Sequence, residues 1–428
     1  MVSFKKIYSY VRRHIIAAHV YFILSTVCLI LFYHLWHHYR HKTHPTRKCI
    51  VFIPGFMASQ LFYNGDSNKF YRKGEALLCR SYKGLSTIIS GAKDILKLME
   101  HSDMLLCNSE GLPNDTNIGI LRDKSSADEL DRLFDKYGTL FLFKNFINLL
   151  DNKFGPTTQY KNDIIMFNYD WRLDCSYNAN LLINKIIDYD EVIIIAFSLG
   201  GLIASKALVT MKQKYSLKNI KAYLSVCVPY NGTINAIRGL KAGYCEYDNF
   251  SNLLYDTLSI SPKIQKLSRT FPAMYQLLPT KEFFRRNKGF LKNHDGKEMT
   301  YFDMWNYFKD TLHLSTSLVN KAIDFHNSLF IKNKYILDYI DNKYFFVGLG
   351  YSVPSSVQIH NKKKDLVFLK YSKGDNTVDL YHSAIPPVED TKSLHIYRTK
   401  TLHSKIFDNN DFLDKIFFVL NSLQKKSI

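Results

Sequence analysis

A serine at the end of an apolar run is the first feature of this sequence that indicates a catalytic group. Residues 191–202 read EVIIIAFSLGGL, so Ser198 follows a strand-like stretch and precedes one with helical spacing. Ala196 and Gly200 are small enough for a sharp strand-to-helix turn around it. Such a turn exposes the hydroxyl and leaves the Leu199 N–H at a helix N-terminus, facing a developing oxyanion. We predict that Ser198 is a nucleophile; the alternative is an ordinary turn.

A serine nucleophile needs a base, and the base needs an acid that orients it. In enzymes with this turn the acid follows the serine along the chain and the histidine comes last. Asp375 lies in the turn-forming run KGDNTV, and His403 follows a late strand-like run within a short loop. We predict that Asp375 is the acid and His403 the base. Four rivals lie nearby: Asp365 in a lysine-rich loop, Asp379 four residues on, His382 at a surface or packing position, and His395 inside a strand.

The loop after the first apolar run offers a second oxyanion donor. The segment IPGFMAS at 53–59 directly follows the run CIVFI at 49–53. Its Pro-Gly turn can aim the Phe56 N–H towards Ser198. An ordinary turn at a strand end is the alternative for any one Pro-Gly pair.

The elements that must position these groups follow an alternating pattern. Six short apolar runs, most without polar alternation, lie at 49–53, 163–167, 192–197, 220–228, 344–348 and 394–398. Helix-like stretches lie between them at 140–150, 177–187 and 202–214. This pattern predicts an α/β fold in which a mostly parallel, doubly wound sheet is covered on both faces. Two regions, about 64–117 and about 238–342, interrupt it, and insertions of this size form lids or caps over a site.

The N-terminal region predicts a membrane anchor. Residues 15–36 are almost wholly apolar, with basic residues on both sides, and their length suits a span of roughly 20 residues. The flanking sequence is a poor cleavage site, which favours an uncleaved signal anchor. We predict a cytosolic tail at 1–14, a span at 15–36, a basic linker at 37–47 and one catalytic domain at 48–428. The predicted location is a single-pass membrane protein with its catalytic domain in the lumen of the endoplasmic reticulum or another secretory compartment.

Charge and cysteine content limit the partners. The net charge is +19, which favours anionic partners or simply gives a solvated basic surface. No zinc-finger spacing or RNP-like run accompanies the charge, so nucleic acid is not an expected partner. None of the seven cysteines forms a C-x-x-C pattern, and we expect neither a metal nor a cofactor.

Several segments together resemble the lecithin:cholesterol acyltransferase family, which includes lysosomal phospholipase A2 and phospholipid:diacylglycerol acyltransferases. They are IPGFMASQL at 53–61, FNYDWRLD at 167–174, AFSLGG at 196–201, VPYNGT at 228–233, YFFVGLGYSVPSS at 344–356 and KGDNTV at 373–378. The resemblance runs from about residue 48 to the C-terminus and implies an α/β-hydrolase fold. It also implies Ser198, Asp375 and His403 as the catalytic triad, with Phe56 and Leu199 as backbone oxyanion donors.

The resemblance also concerns the first insertion. Cys79 and Cys107 bracket the apolar stretch GLSTIISGAKDILKLM, and family members pair two cysteines around a membrane-binding excursion. A Cys79–Cys107 disulfide and a membrane-binding role for about 64–117 are therefore implied. The alternative for the apolar stretch is a buried helix.

The sequence departs from the family pattern at three places. Phe197 stands where a histidine usually precedes the serine, and Tyr230-Asn231-Gly232 stands for the usual aromatic-Gly-Gly. The tryptophan common in the membrane-binding stretch is missing. No catalytic group is lost, but residues that would line the pocket for the acyl acceptor differ from the family pattern.

These inferences predict a serine-dependent lipid acyltransferase that works at a phospholipid membrane. The acyl group passes from a glycerophospholipid to Ser198 and then to a sterol or a diacylglycerol. A phospholipase A, with water as the acceptor, needs the same residues and is an alternative. A catalytically inactive lipid-binding membrane protein is the alternative from another class.

Overall fold

The fold is that of a computed structural model, which describes residues 24–33, 46–59, 61–64, 75–78, 102–120, 141–243, 260–360, 366–392 and 394–425. The chain divides into two compact units, Met1–Arg47 and Lys48–Ile428. The strands in chain order are β1 Lys48–Ile53, β2 Leu61–Tyr63, β3 Glu75–Leu78, β4 Ile118–Gly119, β5 Asn162–Met166, β6 Glu191–Phe197, β7 Ile220–Val226, β8 Leu291–Lys292, β9 Phe330–Ile331, β10 Lys334–Tyr335, β11 Lys343–Leu349, β12 Tyr351–Ile359, β13 Leu366–Gly374 and β14 His395–Lys400.

The α-helices of the second unit are α1 Phe141–Phe154, α2 Cys175–Ile186, α3 Leu199–Lys214, α4 Ile234–Ala242, α5 Ile260–Ser268, α6 Pro272–Gln276, α7 Lys281–Arg286, α8 Tyr301–Asn306, α9 Thr316–Asn327 and α10 Asn410–Lys425. Short 3-10 helices cover Ser102–Leu105, Ile336–Tyr339 and His403–Asp408, and π-helical turns cover Tyr307–Thr311 and Leu380–Ala384.

A six-stranded parallel sheet lies at the centre of the second unit, in the order β14-β11-β7-β6-β1-β5. The six apolar runs of the sequence are these six strands, with ends that differ by one or two residues. The predicted mostly parallel α/β sheet is thus confirmed. Because all six strands run the same way, their carboxyl ends meet at one edge, where ligands bind in open α/β sheets.

Burial on both faces explains why the strands lack polar alternation. In β1, Ile50 and Phe52 lie in a core with α1 and α10, whereas Val51 and Ile53 lie in a second core with α2 and α3. Successive side chains of a strand point to opposite faces, so helices on both sides of the sheet require apolar residues at every position.

Helices α5 to α9 lie between β7 and β11 in the chain. They fall within the region about 238–342, for which the sequence predicts a cap. Helix α4 ends at Ala242 and is capped by Gly243, whose left-handed φ of 75° is a conformation that glycine adopts without strain. The cap role of this region stays a prediction, as do the other domain boundaries.

A second, three-stranded sheet positions the predicted acid. β12 and β13 form an antiparallel hairpin, and β8 pairs with β12 in parallel. β13 ends at Gly374, so Asp375 lies at its carboxyl end. A third small sheet joins β2 to β3 and β4; β3 lies within the region predicted as the first insertion, and β2 and β4 lie on either side of it in the chain.

The predicted single-pass membrane location is wrong for the part of the chain that the structure describes. Residues 24–33, the described part of the predicted span, are helical. Nowhere in the described ranges is a helix both long and apolar enough to cross a membrane. Residues 15–23 and 34–36 of the predicted span lie outside the described residues, as do the tail at 1–14 and the linker up to residue 45.

Candidate active site

The turn between β6 and α3 holds Ser198 in an unusual backbone conformation. Its φ of 53° and ψ of −126° place a non-glycine residue at positive φ, which costs roughly 1–3 kcal/mol. The Ser198 N–H donates to the Val226 carbonyl at 3.0 Å, and the Gly201 N–H donates to the Ser198 carbonyl at 2.9 Å. These bonds fix the strained residue between β7 and the first turn of α3.

Close contact explains the two glycines after the serine. A Cβ on Gly200 would lie 2.4 Å from the carbonyl oxygen of Ile53 and 2.6 Å from that of Pro54. A Cβ on Gly201 would lie 2.3 Å from a methyl group of Val228. Only glycine fits at these positions, because the loop after β1 and the end of β7 press against the turn.

The structure brings the three predicted triad residues together. His403 Nε2 lies 3.0 Å from Ser198 Oγ, and His403 Nδ1 lies 2.7 Å from Asp375 Oδ2. In the tautomer that this geometry favours, Nδ1–H donates to the carboxylate and the serine hydroxyl donates to Nε2. The arrangement allows the imidazole to take the serine proton while the carboxylate fixes its orientation.

Backbone hydrogen bonds fix the positions of Asp375 and His403 relative to each other. Thr377 and Val378 donate their N–H groups to Asp375 Oδ1 at 3.0 and 2.7 Å. The His403 N–H donates to the Asp375 carbonyl at 2.8 Å, so the two residues are joined through main chain as well as side chain. Asp375 is 1% exposed and a Cβ on Gly348 would lie 2.5 Å from its Cβ. The acid therefore sits in a fully packed position against β11.

Phe197, which stands where the family pattern has a histidine, packs against the imidazole of His403. Its ring centroid lies 4.9 Å from that of the His403 imidazole and 5.1 Å from that of Phe407. An apolar ring here neither donates to nor accepts from the imidazole. The departure therefore leaves the His403 hydrogen bonds intact.

The loop from Pro54 to Ser59 lies directly against the serine. A Cβ on Gly55 would lie 2.8 Å from Ser198 Cβ, so this loop lines the site where the reacting carbonyl would bind. Met57 has a positive φ of 57°, and the Ala58 N–H donates to the Gly55 carbonyl at 3.2 Å. Phe56 is one of the two central residues of this turn, and Leu199 is the first residue of α3. The N–H groups of a helix's first turn have no acceptor within the helix.

The rival acids and bases lie elsewhere. Asp379 accepts from the His382 N–H at 2.7 Å and caps the π-helical turn, and His382 Nδ1 lies 3.0 Å from the same carboxylate. His395 is exposed on β14, where its ring stacks on Tyr344. Asp365 lies outside the described residues. Among the described candidates, His403 is the histidine that contacts Ser198, and Asp375 is the acid that contacts His403.

A cysteine that the sequence analysis did not assign lies beside the triad. Cys227 follows β7, and its Sγ lies within 4.8 Å of ligand-type atoms of Asp375 and His403, a set that in principle suits a metal. Burial, and then the neighbouring Asp375 carboxylate, raise the pKa of the Cys227 thiol well above its usual value. A protonated thiol at this position can donate a hydrogen bond to the Asp375 carboxylate.

The cysteine pair implied by the resemblance is seen only in part. Cys107 is a buried free thiol, and its burial raises its pKa to about 12. Cys79 lies outside the described residues. The structure therefore does not show the Cys79–Cys107 disulfide.

A parallel sheet with helices on both faces and a serine on a strained strand-to-helix turn defines an α/β-hydrolase fold. The family model of lecithin:cholesterol acyltransferase matches residues 94–377, which is more than half of the chain. The chain therefore belongs to the lecithin:cholesterol acyltransferase family, whose enzymes act in lipid acyl transfer and phospholipid cleavage. The match includes Ser198 and Asp375 and ends before His403, which the tertiary structure brings to them.

Two further comparisons bear on the fold. A search of curated protein sequences found no significant match. Among solved structures, a chain of "The crystal structure of Tle4-Tli4 complex" is similar, with a TM-score of 0.60 and 12% sequence identity. The similarity covers 89% of this chain and 99% of that chain. At this identity the likeness extends to the fold alone.

Proposed function

We propose that the chain is a serine-dependent acyltransferase that moves a fatty acyl group from a glycerophospholipid to a sterol or a diacylglycerol. The observation that carries the proposal is the continuous row of hydrogen bonds from Asp375 through His403 to Ser198, at 2.7 and 3.0 Å. This arrangement activates an alcohol as a nucleophile for ester carbonyl groups.

In the first half-reaction, Ser198 Oγ bonds to the ester carbonyl carbon while its proton passes to His403 Nε2. The carbonyl oxygen becomes an oxyanion, which the N–H groups of Phe56 and Leu199 stabilise by about 3 kcal/mol each. The bond to the glycerol oxygen then breaks, and His403 returns its proton to that oxygen. A lysophospholipid leaves, and the acyl group remains on Ser198.

In the second half-reaction, the hydroxyl of the acceptor loses its proton to His403 Nε2 and attacks the acyl carbon. A second oxyanion forms in the same place, and its collapse breaks the bond to Ser198 Oγ. Ser198 recovers the proton from His403. The product is the ester of the acceptor.

Phospholipase A activity is the second candidate, and the exposure of the base favours it. The His403 side chain is 13% exposed, so water can reach the group that would activate it. The same residues then hydrolyse the acyl intermediate to a free fatty acid. An inactive lipid-binding protein is disfavoured, because such a protein has no need of an intact hydrogen-bonded triad.

We also propose that the region about 64–117 contacts the lipid surface and the region about 238–342 caps the site. Leu112, in the described part of the first region, is 59% exposed, and the net charge of +19 suits anionic headgroups. Co-sedimentation with anionic and with zwitterionic vesicles tests this proposal. If the protein sediments with neither kind of vesicle, a lipid-contacting role is excluded.

The function is tested with acyl-labelled phosphatidylcholine, alone and with added cholesterol or diacylglycerol. Label in a new ester supports an acyltransferase, and label only in free fatty acid supports a phospholipase. The matched control is Ser198→Ala, which should release neither product and should not react with a fluorophosphonate probe. No product from the wild type and no labelling by the probe would favour the lipid-binding protein.

A further inference from the structure

The four buried residues of the YDWR motif at 169–172 have no role in the chemistry above. They follow β5, and their contacts divide by position. Tyr169 and Trp171 contact the loop at 54–59. Arg172 contacts the segment 102–118 and is paired with Asp170. The two sets therefore serve different parts of the molecule.

Tyr169 and Trp171 hold the 54–59 loop at both ends. The Tyr169 hydroxyl donates to the Pro54 carbonyl at 2.7 Å, and the Tyr169 N–H donates to Ser59 Oγ at 3.2 Å. The Trp171 indole N–H donates to the Ser59 carbonyl at 2.9 Å. The middle of the loop is held as well, because the Trp171 ring packs edge-on against the Phe56 ring with centroids 4.9 Å apart.

The position of this loop decides where the Phe56 N–H lies relative to the serine. Pro54 and Gly55 touch the nucleophile turn directly, through the close approaches at Gly200 and Ser198 Cβ. Burial raises the pKa of the Tyr169 hydroxyl well above its usual value, so the hydroxyl stays a donor over the whole working pH range.

We propose that Tyr169 and Trp171 are positioning residues for the oxyanion hole: they hold the loop at 54–59 so that the Phe56 N–H faces the carbonyl oxygen of the substrate. Neither residue touches the reacting atoms. The inference rests on the proposed function, in which Ser198 is the nucleophile and Phe56 an oxyanion donor.

The test is Tyr169→Phe, which removes one hydroxyl and leaves the ring in place. Losing an oxyanion donor outright lowers turnover about 10²–10³-fold, so a displaced donor should lower kcat about 10–100-fold. KM should stay within twofold of the wild type, because the loop acts on the transition state and not on ground-state binding. The rate of fluorophosphonate labelling should fall with kcat.

The matched control is Tyr335→Phe. Tyr335 is also fully buried, and its hydroxyl bonds Ser205 Oγ at 3.3 Å, with no contact to the 54–59 loop in the described residues. Both variants lose one buried hydroxyl, so their thermal midpoints should fall by similar amounts. Only Tyr169→Phe should lose kcat at a temperature where both are folded.

Should Tyr169→Phe fail to fold, Trp171→Phe serves instead, because it keeps an aromatic ring beside Phe56 while it removes the indole donor and part of the ring area. A folded Tyr169→Phe or Trp171→Phe variant with wild-type kcat would overturn the inference. A wild type that neither turns over lipid nor reacts with the probe would instead refute the proposed function, so the two failures are distinguishable.

Discussion

Replacing Asp375 with asparagine tests the triad most directly, because the structure dictates how the amide would orient. Thr377 and Val378 donate two N–H groups to Oδ1, so the amide oxygen of an asparagine must take that place. Its NH₂ group then takes the place of Oδ2, which lies 2.7 Å from His403 Nδ1 in the wild type. Since the amide can only donate there, Nδ1 must become the acceptor and the imidazole proton must move to Nε2.

The changed tautomer removes the base. With a proton on Nε2, the imidazole donates towards Ser198 Oγ at 3.0 Å and no longer accepts the serine proton. Tautomer inversion of this kind lowers kcat about 10⁴-fold, which corresponds to about 5.4 kcal/mol in the activation barrier. Asparagine has the shape of aspartate, so the backbone geometry should be retained.

The assay measures kcat for release of labelled fatty acid or ester from phosphatidylcholine, together with the thermal midpoint. The matched control is Asp379→Asn, since Asp379 is equally buried, lies four residues on and caps a different turn. We expect the control to keep activity within a few-fold. Turnover above a tenth of wild type in a folded Asp375→Asn variant would refute the assignment of Asp375 as the orienting acid.

Three further predictions concern packing, a buried ion pair and pH. Gly200→Ala should lose at least 100-fold in kcat or fail to fold, because its Cβ would lie 2.4 Å from a backbone oxygen, whereas Gly119→Ala, with nothing within 4 Å, should keep full activity. Arg172→Met should lower the free energy of unfolding in urea by about 3–5 kcal/mol, because it leaves the Asp170 carboxylate buried and unpaired. Burial lowers the pKa of His326 to about 4 from 6.5, so the unfolded chain binds more protons between these values. The contribution of neutral His326 to the free energy of unfolding is at its maximum above pH 6.5 and is lost as the pH falls to about 4. The variant His326→Gln should therefore flatten this part of the stability–pH curve.

The control for Arg172→Met is an exposed ion pair. Lys321 and Glu110 form an exposed ion pair at 2.8 Å, and breaking it with Lys321→Met should cost less than about 1 kcal/mol. A loss as small as this in Arg172→Met would contradict a structural role for the buried pair. An unchanged pH profile in His326→Gln would mean that other groups cause the acid instability.

Local sequence patterns were sufficient to predict the central sheet and the strand-to-helix turn at Ser198. Six apolar runs without alternation require strands that are covered on both faces, and all six became strands of one parallel sheet. Ser198 was recognisable because Ala196 and Gly200 make a sharp turn possible, which is a property of immediate neighbours. The N-terminal apolar run predicted a spanning helix, but no helix within the described ranges is long and apolar enough to cross a membrane.

The choice between similar candidates was decided by the tertiary structure. Asp375 and Asp379 lie four residues apart in one turn-rich segment, and sequence gives no measure of which carboxylate reaches the histidine. The hairpin of β12 and β13 places Asp375 within hydrogen-bonding distance of His403, whereas the Asp379 carboxylate bonds the His382 N–H. The roles of the YDWR residues were equally hidden, since Tyr169 meets Pro54 across 115 positions of chain.

Local patterns depend on side chains a few residues apart, and these the sequence displays directly. The contact between Ser198 and His403 spans 205 positions and exists only because parallel strands bring their carboxyl ends to one edge of the sheet. The distances that decide proton transfer are set by that packing, which no short stretch of the chain contains.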